Sequence, residues 1–154
     1  MENDDVAGFF VDYAAGGTGS LQVSRVAAGH PNTLKFEVFC ERGSASFDFR
    51  NPGQVRVHLL GDGDGDLRGT RTVVLGPEHP YWRDSLAMDA PGVAIGQNDG
   101  FVFQARAFLE EVAGLPQSRG LPRNADFADG LHNMELLDAV ARSALAGGAE
   151  VRVP

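Results

Sequence analysis

The hydrophobic and polar positions alternate along the first half of the chain and then change to helical spacing. Residues 7–13, with Val6 before them, are rich in aromatic and β-branched types. Residues 19–27 open with Leu21 and Val23 on one side and Gln22 and Ser24 on the other, a period of two that marks a strand. The pattern blurs after Arg25. Residues 34–40 set Leu34, Phe36, Val38 and Cys40 against Lys35, Glu37 and Phe39. Residues 45–49 place Phe47 and Phe49 opposite Ser46 and Asp48, residues 54–60 place Val55, Val57 and Leu59 opposite Arg56 and His58, and residues 69–75 make a sixth candidate. The connections "AAGGTG" and "ERGS" carry glycines where hairpins need positive φ. Such short loops imply antiparallel neighbours, because a parallel crossover needs a dozen or more residues.

Helical spacing begins at Asp99. Phe101, Ala105, Phe108, Leu109 and Val112 recur on one stripe, and Gly114 and Pro116 stop it. A second helix is expected after Asp126, a suitable N-cap with Asp129 three residues on. Its stripe is Leu131, Met134, Leu137, Ala141, Ala144 and Leu145, and Gly147 and Gly148 end it. Residues 149–154 read as a short last strand, and residues 76–98 are irregular. These elements predict an α+β fold: an open, mainly antiparallel sheet of about six strands with two helices packed on one face. Residues 1–154 are expected to form a single domain, with no repeat and no internal boundary.

Composition narrows the function classes. A formal net charge of −8 argues against nucleic acid as a partner, since an acidic surface repels phosphate. No apolar run is long enough to span a membrane. The acidic start, "MENDDVAGFF", is no secretory signal, so the expected location is cytoplasmic. Cys40 is the sole cysteine, which excludes an intrachain disulfide. It is expected as a small buried apolar residue at a strand end.

The stretch "YAAGGTGSLQVSRVA" contains the G-x-G of Gly17 and Gly19, the start of a dinucleotide fingerprint. That fingerprint needs a helix after the loop and a third glycine; here the continuation has strand periodicity and Gln22 stands in the third position. The reading is a hairpin. Asp62, Asp64 and Asp66 alternate like the front of a calcium loop, but Leu67 and Val73 occupy the positions of its turn glycine and closing glutamate. His30, His58, His79 and His132 show no i,i+3 or i,i+4 pairing, so no metal set is expected. His30 and His79 lie in loops, and "EHPYW" gathers His79, Tyr81 and Trp82, whose rings suit the apolar face of a sugar. The competing reading is that Tyr81 and Trp82 close one end of the core.

Four blocks in order, "GGTGSLQVSRVAAGHPNTLKFEVFCERGSASFDF", "GPEHPYW", "PGVAIGQNDGFVFQARAFLEEVAG" and "ADFADGLHNMELLDAVARSALAGG", resemble the C-terminal half of the glucose–fructose oxidoreductase and inositol 2-dehydrogenase (Gfo/Idh/MocA-like) family. The resemblance runs from about Val6 to Val153. It implies the substrate-side and oligomerisation domain of an NAD(P)-dependent dehydrogenase of sugars or polyols, with NAD or NADP held by an N-terminal Rossmann domain that these residues do not supply. It implies no cofactor bound by this chain, and as partners either a second copy through the sheet face or a Rossmann-domain body. The family's E-K-P lysine and D-x-x-x-H segment have no counterpart here; the sole lysine, Lys35, lies in a strand. Where many relatives read P-G-H-x-I-G, this chain has Val93 after Gly92. No catalytic residue is therefore assigned, and independent enzymatic activity is left open. Arg25, His30, His79, Tyr81 and Trp82 are the candidates for the ligand end, the first two as hydroxyl partners and the last two as ring contacts. The alternatives are a stand-alone interaction or sugar-binding module without catalysis, and a calcium-dependent β protein resting on the three aspartates.

Overall fold

A computed structural model describes residues 4–61, 69–79, 82, 90, 92–115 and 124–153. Its strands are β1 (Val6–Asp12), β2 (Thr18–Ser24), β3 (Lys35–Cys40), β4 (Gly43–Asp48), β5 (Gln54–Leu59) and β6 (Arg71–Val74), followed by α1 (Gln97–Val112) and α2 (Phe127–Leu145). All strand pairing is antiparallel, and the class is α+β. The ladder divides, with β1 and β2 forming a pair and β3-β4-β5-β6 a sheet of four. The chain comprises two compact units. One joins Met1–Pro31 to Ala125–Pro154 and so contains β1, β2 and α2; the other, Asn32–Asn124, contains the four-stranded sheet and α1.

In the four-stranded sheet the register explains the alternation seen in the sequence. Phe36 faces Phe47, Phe47 faces Val55 and Val55 faces Val73, so one apolar row crosses all four strands. Directly opposed residues in an antiparallel ladder share a face. The Phe36 and Phe47 rings lie 5.5 Å apart, and Phe47 and Phe49 lie 6.4 Å apart, both tilted, within the range for favourable aromatic pairs. The next row, Glu37, Ser46, Arg56 and Thr72, carries the polar face.

The β1–β2 hairpin has the same logic. Phe9 faces Leu21 and Ala7 faces Val23 on its apolar side, while Phe10 faces Ser20 on the other. Gly16 and Gly17 adopt φ of 93° and 96° in the connecting loop, a conformation that side-chain-bearing residues rarely enter. The loop closes with the Gly16 amide donating to the Tyr13 carbonyl at 2.8 Å and the Tyr13 amide to the Gly17 carbonyl at 3.0 Å.

Helix α2 starts as the sequence predicts. The Asp126 carboxylate accepts from the amides of Ala128 (2.8 Å) and Asp129 (3.1 Å), and the Asp129 carboxylate accepts from the Asp126 amide at 3.0 Å. This reciprocal box satisfies donors that a helix start leaves open. Helix α1 begins two residues before Asp99, whose carboxylate accepts from the Gly96 amide at 2.7 Å.

Three expectations are corrected. Residues 149–153 form no ladder; Val151 and Val153 are half-buried and alternate with exposed Glu150 and Arg152 in an unpaired segment. Cys40 is exposed, because β3 is an edge strand and its Gly43 partner covers nothing. The helix stripes also face outward. On α1 the packed side is Phe103, Arg106, Ala107 and Glu110, while Phe101, Phe108, Leu109 and Val112 are exposed. On α2 the packed side is Leu136, Ala139, Val140 and Ser143, while Leu131, Met134, Leu137 and Leu145 are exposed. The packed side of α1 includes the Arg106–Glu110 ion pair at 2.7 Å, that of α2 is mostly apolar, and the small residues Ala107 and Ala139 are the ones drawn in.

Candidate functional site

The G-x-G stretch lies in the β1–β2 connection and runs directly into β2. No helix N-terminus follows it, so the geometry that holds a pyrophosphate is not built there. Arg25 and His30 follow β2 in the same unit, and both are exposed. The Arg25 amide donates to the Asp5 carbonyl at 2.9 Å, fixing the backbone at the end of the hairpin. The His30 amide donates to the Ala27 carbonyl at 3.1 Å in a tight turn.

His79 and Trp82 belong to the other unit. The His79 amide donates to the Gly76 carbonyl and the Trp82 amide donates to the His79 carbonyl, each at 2.9 Å. His79 is half-buried. Trp82 is 1% exposed, and its indole Nε1–H is enclosed without a hydrogen-bond partner among the described residues. Buried tryptophans usually find an acceptor, so this donor is an unusual feature of the segment. Tyr81 lies outside the described residues, as do Asp62, Asp64 and Asp66. Among the described residues, no group of three or more His, Cys, Asp or Glu is placed to hold a metal ion. No helix among them is long and apolar enough to cross a membrane.

Val93, where the family resemblance would have a histidine, is half-buried just before α1. Its amide donates to the Ala90 carbonyl at 3.3 Å. A valine there offers no proton donor or acceptor in its side chain. Lys35 points to Asp48, its cross-strand partner, with Nζ 3.3 Å from Oδ2. Asp48 is the most strongly perturbed carboxylate among the described residues. The Arg50 guanidinium donates to it from Nη2 at 2.7 Å and from Nε at 3.1 Å, and the Arg50 amide donates at 3.0 Å. The Arg50 side chain is the leading cause that holds the carboxyl well below the ordinary carboxylate range. Desolvation opposes it, while the Arg50 amide and Lys35 add to it. The same pairing raises the guanidinium's own value. The cluster ties the start of β3 to the turn after β4. Sequence reasoning missed it; the signal was the Asp-x-Arg spacing in that turn, but only the strand register brings Lys35 to it.

The chain is 30% identical to levoglucosan dehydrogenase of Pseudarthrobacter phenanthrenivorans over 144 residues, which are 94% of this chain and 35% of that enzyme. The solved structure of levoglucosan dehydrogenase in complex with NADH and levoglucosan superposes with a TM-score of 0.81 at 32% identity, covering 98% of this chain and 38% of that one. This chain is homologous to the C-terminal portion of that enzyme. An oxidoreductase domain protein from Kribbella flavida superposes with a TM-score of 0.79 at 28% identity, over 93% of this chain and 35% of its own. No family profile matches the chain. The chain thus spans little more than a third of the length of the proteins it resembles.

Proposed function

We propose that this chain is the substrate-side and oligomerisation domain of an NAD(P)-dependent sugar or polyol dehydrogenase of the Gfo/Idh/MocA type, not competent for hydride transfer alone. One observation carries the reading: almost the whole chain superposes on part of an enzyme solved with NADH and levoglucosan. The residues agree with it. The G-x-G is spent on a hairpin, and the sole lysine is tied to Asp48 within a sheet. The cofactor would be NAD or NADP, held by a Rossmann body that this sequence does not supply. The ligand is a polyhydroxylated ring, and the location is cytoplasmic.

Candidate contacts come from each unit separately. Arg25 and His30 are exposed hydrogen-bonding groups that suit hydroxyls. His79 and Trp82 are the candidates from the other unit, with Tyr81 between them in the sequence; Trp82 is enclosed, so it would act on a ligand through the packing of its segment.

Trp82 is the sole tryptophan, so intrinsic fluorescence reports on this segment alone. Titration of the chain with levoglucosan, inositols and common sugars, read by Trp82 emission and by calorimetry, is expected to give saturable binding of at least one of them. Titration with NADH or NADPH is expected to give none. Tight, stoichiometric dinucleotide uptake would refute the domain assignment. Silence towards every sugar, with tight binding to a protein partner, would favour the interaction-module alternative.

A further inference from the structure

The polar face of the four-stranded sheet gathers hydrogen-bonding side chains that the fold does not use. Two cross-strand rows lie side by side on it: Phe39, Ser44 and His58, then Glu37, Ser46 and Arg56. Residues two apart along a strand share a face, so the six stand together. Each row is tall, short, tall. The serines of β4 form a floor, with Phe39 and Glu37 of β3 as one wall and His58 and Arg56 of β5 as the other. Strand spacing sets the two walls about 10 Å apart, and the two rows lie about 7 Å apart. The result is a shallow trough along β4 with the dimensions of one sugar ring.

The side chains of Glu37, Ser44, Ser46, Arg56 and His58 have no hydrogen-bond or ion-pair partner among the described residues. Phe39 is 78% exposed, Glu37 and Arg56 are exposed, and the two serines and His58 are half-buried. In the next row, Lys35 and Arg50 already neutralise Asp48, so that carboxylate brings no free charge to the trough.

We propose that this trough binds one ring of a neutral carbohydrate, at residues distinct from Arg25, His30, His79, Tyr81 and Trp82. Its chemistry selects that class. Glu37 only accepts hydrogen bonds, Arg56 only donates, and the serines and His58 do either, a mixture that matches hydroxyl groups. An anion would be opposed by Glu37 and a cation by Arg56. The exposed Phe39 ring offers an apolar wall to the C–H face of a sugar. A helix, about 10–12 Å across, does not seat between walls only about 10 Å apart. One ring on an open sheet face predicts weak affinity, with a Kd on the order of 1 mM.

Saturation-transfer NMR and calorimetry of the full chain test this, with glucose, galactose and mannose as probes and gluconate and glucosamine as charged controls. At least one neutral sugar is expected to bind saturably, and the charged controls more weakly. Phe39→Ala and Arg56→Ala should each weaken binding about five- to tenfold with unchanged circular dichroism, since both side chains are exposed. Phe39→Trp should retain it, and His79→Ala should leave it unaltered. Silence towards all three neutral sugars would overturn the trough, while the proposed function stands or falls on its own ligands. Binding that survives Phe39→Ala and Arg56→Ala but is lost in His79→Ala would overturn the trough and favour the loop candidates. Preference for gluconate or glucosamine would overturn the neutral-ring assignment. A dimer that Phe39→Ala dissociates, without any sugar binding, would assign the face to a chain contact and overturn the inference.

Discussion

Asp48 shows how a residue of unremarkable sequence context becomes a fixed point. Its carboxylate receives Arg50 from the adjacent turn and Lys35 from the neighbouring strand. Because its folded-state affinity for protons is depressed, the unfolded chain binds a proton more readily than the folded one. The stability it contributes is present above the ordinary aspartate value, near 4, and is lost as the pH falls through and below it. Asp48→Asn is expected to lower the melting temperature at pH 7 and to lose less on acidification from pH 5 to 3 than the wild type, as thermal melts over that range would show. The direction is the test; the partly exposed setting keeps the effect small. Asp126 works differently, through the orphan amides of a helix start. Asp126→Ala should cost about 1 kcal/mol, with a melting temperature several degrees lower. An unchanged melt would show that the α2 start is held by packing instead.

At the level of elements, the turn into β4 imposes the tightest backbone requirement. Gly43 sits at φ 152°, and a Cβ there would overlap the His58 carbonyl oxygen across the β4–β5 ladder. Gly43→Ala should destabilise the four-stranded sheet by about 2 kcal/mol or more, through strain and a displaced strand. Urea denaturation measures this directly, and a cost below about 0.5 kcal/mol would mean that the turn re-forms around the methyl group. The strand bounds follow the alternation closely because one face of each ladder is apolar and the period of two admits no slip. The apolar faces of single strands, with Phe36, Phe47 and Val55 on them, could be assigned from the chain alone, while the row that joins them to one another and to Val73 came from the register. The helices were legible in extent and in the Asp126 cap. Their orientation was not legible, because α2 has two apolar sides and α1 packs a side that mixes Phe103 and Ala107 with the Arg106–Glu110 pair. Spacing identifies the stripe of larger residues, Leu131 to Leu145, while packing selects the stripe of small ones around Ala139. Small side chains let a helix approach its neighbour closely, a preference that hydrophobicity alone does not register.

For the whole molecule, the central fact is one of proportion. The chain superposes almost completely on little more than a third of an enzyme solved with its cofactor and a sugar. Among its described residues the buried apolar side chains are Trp82, Ala107 and Ala139, while many large apolar ones stay exposed. A surface of that kind suits a body built to be covered by others. The expected failure of dinucleotide titration follows from that proportion.

The order of strands and helices, their antiparallel sense, the Asp126 cap and the unsuitability of the Gly17–Gly19 turn for a nucleotide were determined by the sequence by itself. All of these depend on local periodicity, on short loops and on backbone permissions that act within a few residues. Only the tertiary structure decided that the ladder divides into two and four strands, that residues 149–153 stay unpaired, that Trp82 is enclosed with its N–H unmatched, and that α2 turns its larger stripe outward. These depend on which distant surfaces compete for the same apolar area. That competition is settled by close packing among residues far apart in the chain, about which a linear pattern holds no information.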